Sequence, residues 1–392
     1  MPTFNLHSLF RSTVYDDTYL TELTLGDDER TQMQSARTRT RIRDRLRTRL
    51  PGVLQKELQT NERVRAPRFF TQGSWAYKTL NAPCRIPQQA DLDDGTYLPF
   101  SYLEQEPPSV VSSALFNSVE KVLRELADET EGWTLFDDNP NCTRIEIAPD
   151  KHIDVPVYSI PDVEFEKLRE ARSFILKAAM ESLAADQIPE DDNWDLMPTH
   201  GVLMATKDRG WRDNDPRPVK DWVNGEIEVK SEQLRHVMRY LKGWRDHQTW
   251  EKGDPKSILL MVAAAEAYDT QIHARDDLAL LGVVSKLPEI LSGKLINPTT
   301  RDKPEDEQED LAKRLDEDGI REEVIQRFKN LALKIRQAIE GATSPQESCN
   351  ILISEFGSRL PNDSTRIVVE TVKSAAAERT PAIFPVGNRT SA

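Results

Sequence analysis

Three short fragments carry the side chains best suited to chemistry: Gln72-Gly73-Ser74-Trp75-Ala76-Tyr77, Asp91-Leu92-Asp93-Asp94-Gly95 and His152-Ile153-Asp154-Val155-Pro156. Side chains alternate between the faces of a strand, so Asp91 and Asp93 point the same way. Two carboxylates on one face repel each other unless a cation lies between them. Asp154, flanked by Ile153 and Val155 in a β-prone run, can add a third carboxylate from a neighbouring strand. Three hard oxygen ligands suit Mg²⁺ with its waters and a substrate's phosphates. Gly73-Ser74 supplies a small-residue turn whose backbone N–H groups can approach phosphate closely. Each piece alone is weak, since a lone DxD more often marks a solvated edge and a lone Gly-Ser a plain helix cap. Order and distance strengthen them: Gly-Ser, then DxD about 17 positions on, then an Asp in an apolar strand about 60 positions further.

These residues need strands to hold them. Arg68 to Thr71, Tyr97 to Tyr102, Thr143 to Ala148 and His152 to Tyr158 are β-prone pieces around a helix from about Ser109 to Leu126. The pattern predicts an α+β unit with a mostly antiparallel or mixed sheet. Before it, Asp27 to Leu58 reads as one long helix, with Ile42, Leu46 and Leu50 as its buried stripe and Pro51-Gly52 as an expected kink or break. After Pro161 the chain is mainly helical. Phe165–Leu183, Glu232–Trp244, Pro255–Tyr268 and Glu322–Ile339 carry helical apolar spacing, and Ile188–Pro218 reads as a polar connector. The expected division is 1–64 with the long helix, 65–165 as the chemistry-bearing core, 166–378 as a helical lobe and 379–392 as a flexible tail.

Composition narrows the class. The chain has 392 residues, and its 52 Lys and Arg against 66 Asp and Glu give a net charge of −14. Such a chain is a poor non-specific binder of DNA. Its longest apolar run, Ile258 to Ala265, is far short of the ~20 residues that span a bilayer. No basic and apolar leader is visible at the N-terminus, so a cytoplasmic location is expected. Cys84, Cys142 and Cys349 are widely spaced and form no CxxC pair, which argues against a zinc ribbon or disulfide framework.

The order of the three fragments resembles the DNA polymerase β-like nucleotidyltransferase superfamily. Within it, Thr71-Gln-Gly-Ser-Trp-Ala-Tyr-Lys-Thr79, Asp91-Leu-Asp-Asp-Gly-Thr-Tyr-Leu-Pro99 and His152-Ile-Asp-Val-Pro-Val-Tyr-Ser-Ile-Pro161 are similar to the bacterial cGAS/DncV-like enzymes, the CD-NTases. The likeness continues in Arg239-Tyr-Leu-Lys-Gly-Trp-Arg-Asp246, Lys286-Leu-Pro-Glu-Ile-Leu291 and Phe356-Gly-Ser-Arg359, and is nearest to the DncV-type cyclic GMP-AMP synthases. The segment between Tyr268 and Lys286 looks shorter than in that type, and the tail does not match.

The resemblance implies a polymerase β-like nucleotidyltransferase lobe with a mixed sheet and a helical C-terminal lobe closing the cleft. It implies Asp91, Asp93 and Asp154 as a catalytic triad holding two Mg²⁺ ions, with Mn²⁺ as the alternative. Gln72, Gly73 and Ser74 would grip the triphosphate, Lys242 and Ser257 would reach the donor phosphates, and Tyr77 would stack on the donor base. Arg144 would lie near the acceptor nucleotide; from its own strand it could equally pair with Glu146 or meet solvent. His152 reads as a packing or supporting residue rather than a base. The implied activity is cyclic GMP-AMP synthesis from ATP and GTP in antiphage (CBASS) signalling. A downstream effector would read the product, and a ubiquitin-ligase-like partner would conjugate the C-terminus; neither DNA nor a membrane is expected. Tailing of RNA or modification of a protein is the alternative activity.

Arg37, Arg39, Arg41, Arg43, Arg45, Arg47 and Arg49 occupy every second position. On a helix, Arg37, Arg41 and Arg45 form one stripe. The simplest reading is a spine helix pairing with the acidic surface; an anion site behind the cleft and nucleic-acid binding are the other readings.

Overall fold

The structure, a computed structural model, describes residues 3–28, 38–61, 64–102, 108–182, 191–193, 201–270 and 274–370. The expected tail at 379–392 and residues 29–37 of the expected spine helix, Arg37 among them, therefore lie outside the described residues.

The first strand, β1 (Thr3–Asn5), lies apart from the main sheet. That sheet is mixed and eight-stranded. It comprises β2 (Arg68–Gln72), β3 (Ala90–Pro99), β4 (Thr134–Phe136), β5 (Thr143–Ala148), β6 (Lys151–Val155), β7 (Val157–Ile160), β8 (Leu203–Ala205) and β9 (Trp211–Asp213). Central β3 is flanked by antiparallel β2, and by β6 and β7 running parallel to it in one register. Pro156 separates β6 from β7 because it has no N–H to give to the ladder. β8 and β9 fall in the stretch expected to be a polar connector; at three residues each they are too short to show alternation. A tenth strand, β10 (Val368–Glu370), pairs with β1 and joins the two ends of the described chain.

The spine helix Arg39–Glu57 and the helix Pro108–Asp128 pack together behind the sheet. Ile42, Leu46 and Leu50, the expected stripe, are fully buried there with Leu92, Val119, Ile153 and Val155. Pro51 does not break the spine helix, which continues to Glu57. The helices from Arg217 onward form a second core around Trp244, Leu260, Leu280, Phe328 and Phe356. Residues Phe4 to Leu23 pack into this helical core rather than with the spine helix. The boundaries expected at 64 and 165 thus cut across the packing, because tertiary burial assigns the N-terminal segment to the helical lobe and β8–β9 to the sheet.

Asp276 ties the N-terminal segment into that lobe. Its fully buried carboxylate accepts hydrogen bonds from Gln233 Nε2 (2.8 Å) and Tyr240 Oη (2.6 Å), with His236 Nδ1 at 3.4 Å. Its backbone N–H donates to His7 Nδ1 (3.0 Å). Burial alone would raise the carboxyl; His236, Gln233 and Tyr240 outweigh it and hold the pKa down at about 2. A depressed carboxylate stabilises the fold above its ordinary value of 3.8 and loses that contribution as pH falls through about 2. Asp276→Asn is expected to cost about 2–3 kcal/mol at neutral pH. In urea titrations the gap from wild type should hold from pH 7 to about 4 and shrink below it; no gap at pH 7 would contradict this reading.

Candidate active site

Strand register places the chemistry in two adjacent rows. One row runs Arg144, Asp154, Asp93, Gln72 across β5, β6, β3 and β2; the next runs Glu146, His152, Asp91. Registered residues share a face, so the expected carboxylates Asp91, Asp93 and Asp154 converge on one side of the sheet. Leu92 and Asp94 point to the other side, toward the spine helix.

Asp154 is buried and bound at two points by Arg144, through Nε and Nη2 at 2.8 Å each. This cross-strand pair takes the place of a Glu146 pairing, because Asp154 lies directly opposite on β6, and it leaves the Arg144 side chain partly exposed to solvent. Burial, followed by the charges of Asp91 and Asp154, pushes the Asp93 carboxyl well above the usual carboxylate range. Buried Cys142 adjoins the cluster, and burial and the Asp154 charge push its thiol up.

The residues present fit a divalent cation. Asp91, His152 and Asp154 each offer a ligand atom, all within 4.8 Å of one another. Asp91 Oδ1 and His152 Nε2 are buried without a hydrogen-bond partner. An acidic cluster with its lone pairs left open suits a metal better than it suits a hydrogen-bonded core.

Gly73 opens the short helix Gly73–Ala76 with φ +61°, and a Cβ there would lie 1.9 Å from Asp93 Oδ2. The position therefore needs glycine both for its left-handed backbone and for the close approach of the carboxylate. Gly73→Ala is expected to cost about 1–3 kcal/mol in a thermal melt and about 10²-fold in turnover by displacing Asp93; wild-type turnover would contradict this. Gln72 is buried, its Oε1 accepting from Tyr158 Oη at 3.1 Å. Ser74 is half-buried, and its carbonyl closes the turn by accepting from the backbone N–H groups of Thr79 and Leu80.

Three residues of the helix Glu232–His247 tie this turn to the helical lobe. Arg235 Nε donates to the Tyr77 carbonyl (3.2 Å), Arg239 Nε to Asn81 Oδ1 (3.0 Å) and Lys242 Nζ to the Thr79 carbonyl (2.7 Å). Their i, i+4, i+7 spacing makes one helix face, a pattern that the sequence itself carries. Burial, reinforced by the Arg245 charge, lowers Lys242 to about 7. Ser257 is half-buried at the start of the helix Ser257–Ala267, and its Oγ accepts from Arg245 Nη1 at 3.0 Å. Tyr77 packs against the helical core, its hydroxyl pushed up by burial and by Asp93 and Asp91. A cavity of about 560 Å³ lies beside the turn, lined by Trp75, Lys78, Arg235, His236 and Arg239 among others, but by none of the three aspartates.

The arginine ladder divides by face. Arg39 and Arg43 are buried against β2 and β3: both donate to Thr71 Oγ1, and Arg43 also pairs with Asp94 and with Asp191 (2.7 Å). Arg45 pairs with Glu129 and Arg49 with Glu125, while Arg41 lies over the Trp133 ring and Arg47 over Phe69. This supports the reading of a spine helix pairing with acidic residues, with Arg39/Arg43 as its buried pair.

A mixed sheet presenting three aspartates beside a Gly-Ser turn, faced by a helical lobe, defines a polymerase β-like nucleotidyltransferase. Residues 67–158 match the family described as cyclic GMP-AMP synthase DncV-like, nucleotidyltransferase domain, and 231–369 match the cyclic GMP-AMP synthase C-terminal domain. The chain is 35% identical over 330 residues to the cyclic GMP-AMP synthase of Vibrio cholerae serotype O1, covering 81% of this chain and 73% of that relative. It is 34% identical over 310 residues to one from Escherichia coli, covering 76% and 68%. The structure of V. cholerae DncV with the linear intermediate pppA(3′,5′)pG superposes with a TM-score of 0.71 at 26% identity, covering 95% of this chain and 100% of that one. The complex of DncV with nonhydrolyzable GTP gives 0.73 at 25% identity, covering 94% and 100%. The chain belongs to the DncV-like cyclic GMP-AMP synthase family: it is a nucleotidyltransferase of the cyclic dinucleotide synthases.

Proposed function

We propose that this enzyme joins ATP and GTP into a cyclic GMP-AMP-type second messenger through two nucleotidyl transfers in one cleft. The observation that carries the reading is the pair of registered rows that gathers Asp91, Asp93 and Asp154 beside the Gly73-Ser74 turn. Divalent cations, when bound there, supply charge neutralisation at the phosphates and lower the pKa of the attacking ribose hydroxyl. Asp91, Asp93 and Asp154 would hold those ions, with Mg²⁺ the expected metal. The turn's backbone N–H groups and Ser74 grip the donor triphosphate, Tyr77 stacks on the donor base, and Lys242 and Ser257 reach the donor phosphates from the helical lobe. Arg144 orients Asp154 and stands on the acceptor side. The protein's contribution is positioning and electrostatic preorganisation.

Beyond the reaction, we place the enzyme in cytoplasmic antiphage signalling, with an effector that reads the product and a conjugating partner that takes the C-terminus. Among the described residues, no helix is long and apolar enough to cross a membrane. The substrate assignment is tested by nucleotide omission: ATP with GTP and Mg²⁺ should give the main cyclic product. An equal yield from a single nucleotide, or from a pyrimidine nucleotide, would contradict it.

A further inference from the structure

His152 lies in the row of Asp91, on the face that carries all three aspartates. Its Nδ1 is 2.9 Å from Gln89 Oε1. The orientation of Gln89 is fixed, because its Nε2 reaches two atoms that only accept: Glu146 Oε2 at 2.5 Å and the Pro149 carbonyl at 3.2 Å. Gln89 Oε1 therefore faces the ring as an acceptor, and Nδ1 carries the hydrogen. In the neutral imidazole the lone pair is then on Nε2.

That lone pair faces carboxylates. Nε2 is 3.1 Å from Asp91 Oδ1 and 3.8 Å from Asp154 Oδ1. His152 Nε2 and Asp91 Oδ1 are both buried, and neither has a hydrogen-bond partner. With the imidazole neutral, as metal ligation requires, two unshared lone pairs at this separation repel, and a cation bound by both relieves the repulsion. The Nδ1–H···Gln89 bond is also the support that metal-binding histidines ordinarily have, fixing tautomer and ring orientation. Arg144 uses only one acceptor direction on Asp154 Oδ1, so that oxygen can accept a second partner.

We propose that His152 is a metal ligand: Nε2, Asp91 Oδ1 and Asp154 Oδ1 would together hold a cation with one nitrogen and two oxygen donors. Imidazole suits transition metals, whereas carboxylate and water suit Mg²⁺. A nitrogen donor therefore tilts this position toward Mn²⁺, while the oxygens keep it competent for Mg²⁺. The metal site rests on its own geometry and needs no particular nucleotide.

The test uses the full chain without nucleotide and Mn²⁺ as the probe. Pulsed EPR of the Mn²⁺-loaded wild type should show modulation from a directly bound nitrogen, and ¹⁵N labelling of histidine should shift it. His152→Asn should abolish the signal and weaken Mn²⁺ about tenfold, while Mg²⁺ affinity stays within about twofold, as expected when a nitrogen donor favours the transition metal. His152→Asp, which restores an oxygen ligand, should bind Mg²⁺ at least as well as wild type; its melting curve reports whether the fold is kept. Absence of nitrogen coupling in the wild type, failure of nucleotide-free wild type to bind Mn²⁺, or equal loss of both metals in His152→Asn would each overturn the proposal. None of these readouts depends on cyclic dinucleotide synthesis, so the ligand and the substrate assignment can fail separately.

Discussion

The double variant Asp91→Ala/Asp93→Ala is expected to lose at least about 10³-fold in product formation, since the charge stabilisation a metal supplies is several kcal/mol and each 1.36 kcal/mol is tenfold in rate. The same variant should fold, with a thermal midpoint equal to or above that of the wild type. The two carboxylates raise each other's ionisation cost: Asp91 is the leading charge, after burial itself, that pushes Asp93 up. Neither makes a hydrogen bond that holds β3 in place among the interactions of the described residues; the strand is fixed by its ladders to β2, β6 and β7. A rate assay with a melting curve on the same preparation reads both effects. Product formation near the wild-type rate would contradict the assignment of the carboxylates, and a large fall in melting temperature would contradict their separation from the fold.

Arg43→Met is expected to have the largest effect on stability, about 3–5 kcal/mol, by leaving the Asp94 carboxylate buried and unpaired. Arg43 and Asp94 are almost fully buried, and their pairing is two-point, through Nε at 2.8 Å and through Nη2. Asp191 and Thr71 are further partners of the guanidinium. Burial disfavours the Arg43 charge, but the Asp94 and Asp191 carboxylates overcome this and hold it more firmly protonated than a free arginine. Asp94→Leu combined with Arg43→Met should recover much of the loss, because replacing both partners removes the uncompensated charge. Chemical denaturation of the two single variants and the double variant gives the coupling energy directly. Additive losses would contradict a dominant Arg43–Asp94 pair.

These two pairs of residues also show what a sequence discloses. Alternation alone placed Asp91 and Asp93 together, and it equally implied that Asp94 faces away from them. The convergence of Asp154 was legible because it sits between Ile153 and Val155 in a β-prone stretch, which argues for a carboxylate held on an interior strand for a purpose. The helical lobe was legible from apolar spacing, and the buried stripe Ile42, Leu46, Leu50 from its period of four. The arginines were harder to read. Every second position is arginine, so the pattern has no preferred phase, and only the docking of the helix on β2 and β3 selects Arg39 and Arg43 for burial. Pro51 passes through a helix because the flanking turns are anchored by Leu50 and Leu54 in the core. Arg144 could be placed on a strand, but its choice of Asp154 over Glu146 depends on the register of β5 against β6, which no local pattern sets. The open lone pair of His152 depends on Gln89, 63 positions away in the chain.

The most direct test of the central claim supplies α-³²P-labelled ATP with GTP and Mg²⁺, treats the reaction with phosphatase and separates the products. Phosphatase strips terminal phosphates and spares phosphodiesters, so a cyclic dinucleotide keeps both of its phosphates, whereas a linear intermediate is reduced to a dinucleotide with a single internal phosphate that separates from it. The account predicts a phosphatase-resistant dinucleotide that contains both bases, is absent with Asp91→Ala/Asp93→Ala, and forms without added nucleic acid. Label found only in RNA or on protein, or only in phosphatase-sensitive linear species, would contradict it.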